Sequence, residues 1–370
     1  MQSKIKIAHL TSVHQRYDTR IFIKECSSAA KKFQTYLIVA DGKGNEVKNN
    51  VSLIDVGQPE NRFNRVFSTT KKIFQEAIKI NADIYHLHDP ELIPIGKKLK
   101  RLNKKVIFDA HEDLPKQILS KQYIKKPFRK LLSKASAIYE NYELKKFDAI
   151  ITATPQIKHK FSKINHSTID INNFPIFTEF NSNQSNQPKK LNQICYIGGY
   201  STARGIIEAI EAINLCSEST RLFLAGKYIE GSLEQKLHSL PGWEKTKDLG
   251  WLGREQISTL LDSSRIGLVT LHPTESYIES LPVKMFEYMA AGLPVIASNF
   301  PLWEDIVLSS NCGICVNPQA PDEIANAIMY LMENPAIAEQ LGNNGKNAII
   351  NKYNWALEEN KLMSLYQQII

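Results

Sequence analysis

Two glutamates eight positions apart, Glu279 and Glu287, bracket the stretch Ser-Leu-Pro-Val-Lys-Met-Phe, and Tyr-Met-Ala-Ala-Gly292-Leu-Pro-Val-Ile-Ala-Ser298 follows. This reads as loop, short helix, turn and buried strand. Pro282 suits the first helical position, where its missing N–H costs nothing. Gly292 supplies the left-handed residue after the last turn, and Pro294 forbids continuation. The loop then carries Glu279, and the amides of Ser280, Leu281 and Val283 lie at a helix N-terminus, which attracts anions. Glu287 points back toward the same mouth, where a carboxylate can accept two hydrogen bonds from a vicinal diol such as a ribose. One segment offers a carboxylate, a phosphate seat and a diol clamp. The plainer reading is a solvated helix face, because glutamates recur at this spacing by chance.

Three further places carry polar groups at the ends of strand-like runs. Ile197-Gly198-Gly199-Tyr-Ser-Thr-Ala-Arg204-Gly205 lies between a strand and a helix. Its glycines let backbone amides approach a phosphate that Arg204 can neutralise. Lys227, after the run Arg221–Gly226, is the natural second cation; the alternative is a solvated loop lysine. Ile107-Phe-Asp-Ala-His111-Glu-Asp113 delivers His111 to a sheet's carboxyl edge, where a histidine can also be an ordinary satisfied polar residue. His86-x-His88-Asp89 ends another strand in the same way and could line an acceptor side. It has metal-ligand spacing, but no third ligand accompanies it. No Asp-x-Asp pair occurs anywhere to hold a divalent ion on a diphosphate. Protein charges, Arg204 and Lys227 with a helix N-terminus, are left to do that work.

The string Ser-Leu-Pro-x-Lys-x-x-Glu-Tyr-x-Ala-x-Gly-x-Pro-Val-Ile-Ala resembles the nucleotide-sugar signature of glycosyltransferase family 4, retaining enzymes of the GT-B fold. The resemblance covers nearly the whole chain and implies a transfer from a nucleotide diphosphate sugar, with uridine the commoner base, that retains the anomeric configuration. It implies Glu287 on the ribose, Glu279 on the donor sugar hydroxyls, and His111 on the sugar's other side. Arg204 and Lys227 would hold the diphosphate with Gly198, Gly199, Ser280 and Leu281, while Trp251 and Leu252 resemble the loop that borders the nucleobase. Core packing is the alternative for Trp251. The first loop, Thr11-Ser-Val-His14-Gln-Arg-Tyr-Asp-Thr-Arg20, lacks the Gly-Gly of many relatives and resembles a surface-polysaccharide subset. His14 and Arg20 then serve the acceptor, a donor phosphate or the loop itself, with His88 beside them on the acceptor side. No cofactor and no metal is implied beyond the donor. A nucleotide-sugar epimerase and a non-catalytic glycosyltransferase-like subunit share the fold. A dinucleotide-dependent oxidoreductase would want G-x-G-x-x-G after the first strand, and that loop has no glycine.

The elements that must position these groups follow from the pattern. Strand-like runs Lys4–Leu10, Thr35–Ala40, Val51–Val56, Asp83–His88, Lys105–Asp109 and Asp148–Ala153 alternate with helical stretches near Asp18–Phe33, Arg62–Ile80 and Glu91–Leu102. After the polar stretch 181–190 the pattern restarts with Gln193–Gly198, Arg221–Gly226, Ile266–Leu271, Pro294–Ser298 and Gly313–Val316. Such alternation gives parallel α/β sheets that bind ligands at their carboxyl edges. The expectation is two Rossmann-like doubly wound domains facing each other across a cleft. They comprise an acceptor domain 1–180, a linker 181–190, a nucleotide-sugar domain 191–354, and a last helix 355–370 returning to the first.

The 370 residues are 43% apolar and 23% charged, a globular composition with no apolar run of bilayer length. Five cysteines, an odd number, argue against a disulfide scaffold, and Cys312-Gly-Ile-Cys315 reads as structural. Met1 leads directly into a strand with no signal-peptide core, so a cytoplasmic protein is expected. Residues 1–180 carry 32 Lys and Arg against 18 Asp and Glu, whereas residues 181–370 carry 14 against 20. In the basic half, Lys97–Lys105 and Lys121–Lys134 each hold six cations, the second interleaved with Tyr123, Ile124, Phe128, Leu131 and Leu132. That suits an anionic inner-leaflet surface and a lipid-linked or glycan acceptor. No recognised nucleic-acid motif accompanies the charge.

Overall fold

The computed structural model describes residues 4–120, 124–180 and 192–370. The chain forms two compact units, Met1–Asn173 with Ala356–Ile370, and Phe174–Trp355. The division falls ahead of the polar stretch 181–190, which lies outside the described residues. The reason is apolar: Phe174 and Phe180 are buried in the second unit's core, Phe174 edge-on to Phe286 and Tyr353.

The first unit is built on an eight-stranded sheet. Its strands are β1 (Lys6–Leu10), β2 (Gln34–Val39), β3 (Glu46–Lys48), β4 (Val51–Asp55), β5 (Ile84–Leu87), β6 (Lys105–Ala110), β7 (Ala149–Thr152) and β8 (Thr168–Asp170). Their spatial order is β3-β4-β2-β1-β5-β6-β7-β8. All neighbours are parallel except β3 and β4, which form an antiparallel edge pair. Strands β5 and β7 are buried along their whole length, because helices cover both faces and every side chain must be compatible with a core. The second unit carries a six-stranded, all-parallel sheet in the order β11-β10-β9-β12-β13-β14. These strands are β9 (Gln193–Ile197), β10 (Arg221–Ala225), β11 (Thr246–Asp248), β12 (Ile266–Val269), β13 (Val295–Ser298) and β14 (Gly313–Val316).

Every strand expected from the sequence is present. The three not foreseen, β3, β8 and β11, are three-residue edge strands such as Glu-Val-Lys and Thr-Lys-Asp, too short and polar to show a periodicity. Helices used below are α1 (Thr19–Cys26), α2 (Thr70–Ile80), α3 (Ile93–Arg101), α4 (Lys126–Leu144), α5 (Ile206–Leu215), α6 (Arg254–Ser263), α7 (Val283–Ala290) and α8 (Trp355–Ile369). The expected helix over Asp18–Phe33 is shorter. Asp18 caps it by accepting from the Arg20 and Ile21 amides, α1 winds in wide π-type turns, and an α-helical piece ends at Ala29. The α8 segment from Ala356 on belongs to the first unit, where Glu358 accepts from the Asn172 amide at 2.8 Å and Tyr366 reaches His86 at 2.8 Å. None of the five cysteines forms a disulfide, and Cys312 is fully buried. Among the described residues no helix is long and apolar enough to cross a membrane.

Candidate active site

In the second unit the loops at the carboxyl ends of β9, β10 and β12 meet the start of α7. Gly198 ends β9 at φ +123°, a backbone state that side chains resist, and donates its amide to Ala225 O at 2.9 Å. Gly205, at φ +68°, has no room for a side chain, since a Cβ would lie 1.7 Å from Thr270 O. These two glycines bring Arg204 back over the strand end. A Cβ placed on Gly198 would sit 3.5 Å from Arg204 Nη1 and 3.9 Å from Lys284 Nζ. Two cations therefore flank the same glycine. Tyr196 fixes the loop by donating its hydroxyl to Arg204 O at 3.1 Å, and its ring lies 3.8 Å under Lys284 Nζ.

Lys284 is the candidate site residue that the sequence does not single out: it lies in the signature with no role attached. Its Nζ is buried without a hydrogen-bond partner. Burial first, and then the Arg204 charge, push its ammonium down to about 7. A buried cation without an acceptor is costly, so the arrangement calls for an anion at this place. The signal was available: three residues before Glu287, Lys284 shares that residue's helix face. Lys227, expected as the second cation, is exposed, with Nζ 5.5 Å over the Trp251 ring. Trp251 is itself 68% exposed, so it is not a core residue, while Leu252 packs against the second core.

The start of α7 differs in detail from expectation. Pro282 is the N-cap rather than the first helical residue, and Val283 opens the helix. A short helical turn, Glu275–Ile278, precedes it, with Glu279 as its C-cap. The Ser280 amide is taken by Tyr277 O at 3.1 Å, and Trp303 Nε1 donates to Ser280 O at 2.7 Å, so this residue anchors the loop. Leu281 is partly buried against the second core. The first-turn amides at Val283 and Lys284 have no acceptor in the helix ladder. Gly292 does adopt the left-handed state, at φ +69°. Glu287 is buried and accepts from Arg254 Nη1 at 2.7 Å; Arg254, from the start of α6, also pairs with Glu179. Burial opposes the Arg254 charge, but Glu287 and Glu179 together hold its pKa above the ordinary value. No local signal in the sequence links Arg254 to Glu287, which lies on another helix.

The first unit gathers the other predicted residues at the ends of β1, β5 and β6. Asp109 and His111 alternate on one face of β6 and the residue after it. Arg20 forks onto Asp109, with Nε and Nη2 at 2.9 and 2.8 Å, and donates Nη1 to Ile171 O at 2.7 Å. Burial works against the Asp109 carboxylate, yet Arg20 and then His111 hold its pKa well below the usual range. Arg20 and His88 are 4% and 2% exposed, so both face an interior network. His111 and His14 form its solvent-facing rim. His111 Nε2 lies 3.1 Å from Asp109 Oδ2, and the His14 ring centroid is 5.0 Å from that of His111. His14 contacts Asp18 at 3.4 Å and Asp89 at 3.5 Å. Burial lowers its pKa, but the Asp18 bond and the Asp89 charge reverse this, for a net rise.

Residues 177–348 match the family described as glycosyl transferases group 1. A phosphatidyl-myo-inositol mannosyltransferase of Mycobacterium leprae is 22% identical over 186 residues, 49% of this chain and 48% of that protein. The chain spans about half the length of the curated relatives it matches. Among solved structures, sucrose-phosphate synthase from Thermosynechococcus elongatus superposes with a TM-score of 0.79 at 18% identity, covering 99% of each chain. HepE from Anabaena, solved with UDP and glucose, gives a TM-score of 0.76 at 15% identity over 98% of this chain and all of that one. The chain therefore has the GT-B architecture of two Rossmann-like α/β units, and the stretch of it that holds Arg204, Lys284 and Glu287 is related in sequence to glycosyl transferases of group 1.

Proposed function

We propose that the protein is a retaining glycosyltransferase that moves a sugar from a nucleotide diphosphate sugar, UDP-linked in preference, to a lipid-linked or saccharide acceptor in surface-polysaccharide assembly. The observation that carries this is the meeting of Arg204 and Lys284 beside Gly198, with Glu287 on the same helix as Lys284. Transfer from such a donor is limited by charge separation as the diphosphate leaves. Two cations and free amides, fixed before reaction, oppose that cost without reorganising. No metal ion is needed in this reading. Glu287 takes the ribose diol, shared with or released from Arg254, and Glu279 the sugar hydroxyls. In the first unit, the half-buried rim His14 and His111 is assigned to the acceptor and reaction centre; Arg20 and His88 support it from the interior. Retention of these groups favours catalysis over a silent subunit, and product formation with no acceptor present would identify an epimerase instead.

The test is titration calorimetry with UDP, GDP and their sugars. Glu287→Ala is expected to weaken the preferred nucleoside diphosphate by about 1.5–3 kcal/mol, the worth of a charge-assisted hydrogen bond. Binding of both diphosphates as tightly as in the wild type would remove Glu287 from the ribose.

The place of work follows from α4. Phe128, Leu131 and Ile138 are 60%, 65% and 71% exposed, and Leu132, Tyr139 and Tyr142 continue the same stripe. Their spacing is that of one helix face, flanked by exposed Lys126, Lys130 and Lys134. A solvent-facing apolar stripe edged by cations fits the interface of an anionic bilayer, each cation contributing about 1 kcal/mol. A peripheral position at the inner leaflet is therefore proposed. Lys121 and Tyr123 of the same cluster lie outside the described residues. Arg129 donates to Leu119 O at 2.9 Å and is spared from the test. Co-sedimentation with liposomes is expected to require anionic lipid, to fall with salt, and to drop when Lys125, Lys126, Lys130 and Lys134 become Glu. Equal sedimentation with neutral liposomes would leave a soluble acceptor as the better reading.

A further inference from the structure

Beneath the His14–His111 rim, the first unit holds four side chains, of which the proposed transfer uses only His88, and that as a support from the interior. His9 on β1 and His86 on β5 are direct partners in the parallel ladder. His88 follows two residues on, so all three imidazoles leave one face of the sheet. Glu25 of α1 covers that face. His9, Glu25 and His86 have no exposed surface, and His88 has almost none. His9 Nδ1 is 3.0 Å from His88 Nε2, and Glu25 Oε2 lies 4.0 and 3.9 Å from these two nitrogens. One ligand atom from each of the four residues lies within 4.8 Å of the others.

The outward nitrogens are already held. The Tyr366 oxygen is 2.8 Å from His86 Nδ1 and 3.3 Å from His9 Nε2, and it has two lone pairs with which to accept from both. His88 Nδ1 lies 3.4 Å from Asp109 Oδ2 and donates to it. On the carboxylate, Arg20 Nε stands 3.2 Å from Oε1, which turns Oε2 inward. The 3.0 Å contact of His9 Nδ1 with His88 Nε2 is a hydrogen bond when one of the two nitrogens carries a proton; in the tautomers just described both present lone pairs to one ion. Among the described residues, His86 Nε2 and both Glu25 oxygens lack a hydrogen-bond partner. A cation at the centre of these atoms would give each of them a partner.

We propose that His9 Nδ1, His86 Nε2, His88 Nε2 and Glu25 Oε2 bind one zinc ion in the interior of the first unit. Three imidazoles and one carboxylate are borderline donors suited to zinc, and ligands about 2.0–2.1 Å from a tetrahedral ion stand about 3.3 Å apart, close to the spacing of the two facing nitrogens. Each ligand has an outer partner that fixes its orientation: Tyr366, Asp109 or Arg20. Four protein ligands leave no open position, so the ion is structural and separate from the donor diphosphate.

The full chain, produced in zinc-containing medium and passed through a chelating column in the folded state, is expected to retain about one zinc per chain by elemental analysis. Cobalt-substituted protein should show the intense visible bands of a tetrahedral centre. The double variant His9→Ala/His88→Ala should hold no zinc. If it does not fold, the wild-type metal count and cobalt spectrum decide alone. Wild-type protein without zinc that also takes up none on refolding with the ion would overturn the proposal. So would an octahedral cobalt spectrum, or a folded double variant with undiminished zinc.

Discussion

Replacing Lys284 by Met is expected to weaken nucleoside diphosphate binding by about 10–100-fold, the loss of a charge-assisted contact worth about 1.5–3 kcal/mol. Binding of the nucleoside alone should hardly change, because the ammonium faces the phosphate place beside Arg204 and not the ribose. The pH dependence isolates the cause. In the empty protein the Lys284 pKa is pushed down to about 7. A diphosphate restores the charge, so binding at about pH 8 takes up a proton, and affinity falls as pH rises above about 7. In the Met variant both effects vanish, which a merely structural lysine would not produce. Stability moves the other way. Between about 7 and the ordinary lysine value the unfolded chain binds more protons than the folded one, so this group's contribution to stability rises with pH across that window. Below it the full cost of burying the ammonium is present. The ligand-free variant should therefore melt higher than the wild type at about pH 6.5, with a smaller difference at about pH 9. Unchanged diphosphate affinity at neutral pH would exclude Lys284 from the phosphate place. If the wild type itself bound no nucleoside diphosphate, the fault would lie with the glycosyltransferase reading.

The strands of both sheets were legible because a two-sided core forces β-branched and apolar residues into short runs, as in Ile84–Leu87 and Ile266–Val269. The left-handed turn at Gly292 and the strand-ending glycine at 198 were legible because the backbone state itself selects the residue. Pairings between elements distant in sequence were not. Arg254 reaches Glu287 from another helix, and Arg20 reaches Asp109 from the far side of β5 in the chain. A linear pattern carries no term for such contacts. The cations illustrate the cost: Lys227 stands in the expected loop after β10, while Lys284 lies inside the signature with no role that a linear pattern assigns. Only its buried, unpartnered Nζ distinguishes it. The His9–His86 pairing is an intermediate case. His-x-His on β5 showed two imidazoles on one face, but the third and the covering Glu25 required the β1–β5 register.

Asp109→Ala is expected to destabilise the first unit by about 3–5 kcal/mol, the range for removing one partner of a buried ion pair. Asp109 has no exposed surface and takes both arms of the Arg20 guanidinium, with His111 and His88 close by. Alanine leaves Arg20 buried with Glu25 at 3.2 Å as its remaining carboxylate. It also frees the His111 ring that Asp109 orients at the rim. The sign with pH is fixed by the direction of the shift. The Asp109 pKa is held well below the ordinary carboxylate value. Its contribution is thus complete above the unfolded pKa of about 4 and is lost as pH falls through the lower folded value. The gap between wild type and variant should be widest near neutrality and close only in strong acid. The probe matters, because the four tryptophans, Trp243, Trp251, Trp303 and Trp355, all lie in the second unit. Urea unfolding followed by far-ultraviolet dichroism should show the early loss, while any tryptophan transition that moves independently should keep its midpoint. A loss of under about 1 kcal/mol by dichroism would place Asp109 outside the structural network and leave only its contact with His111 to explain.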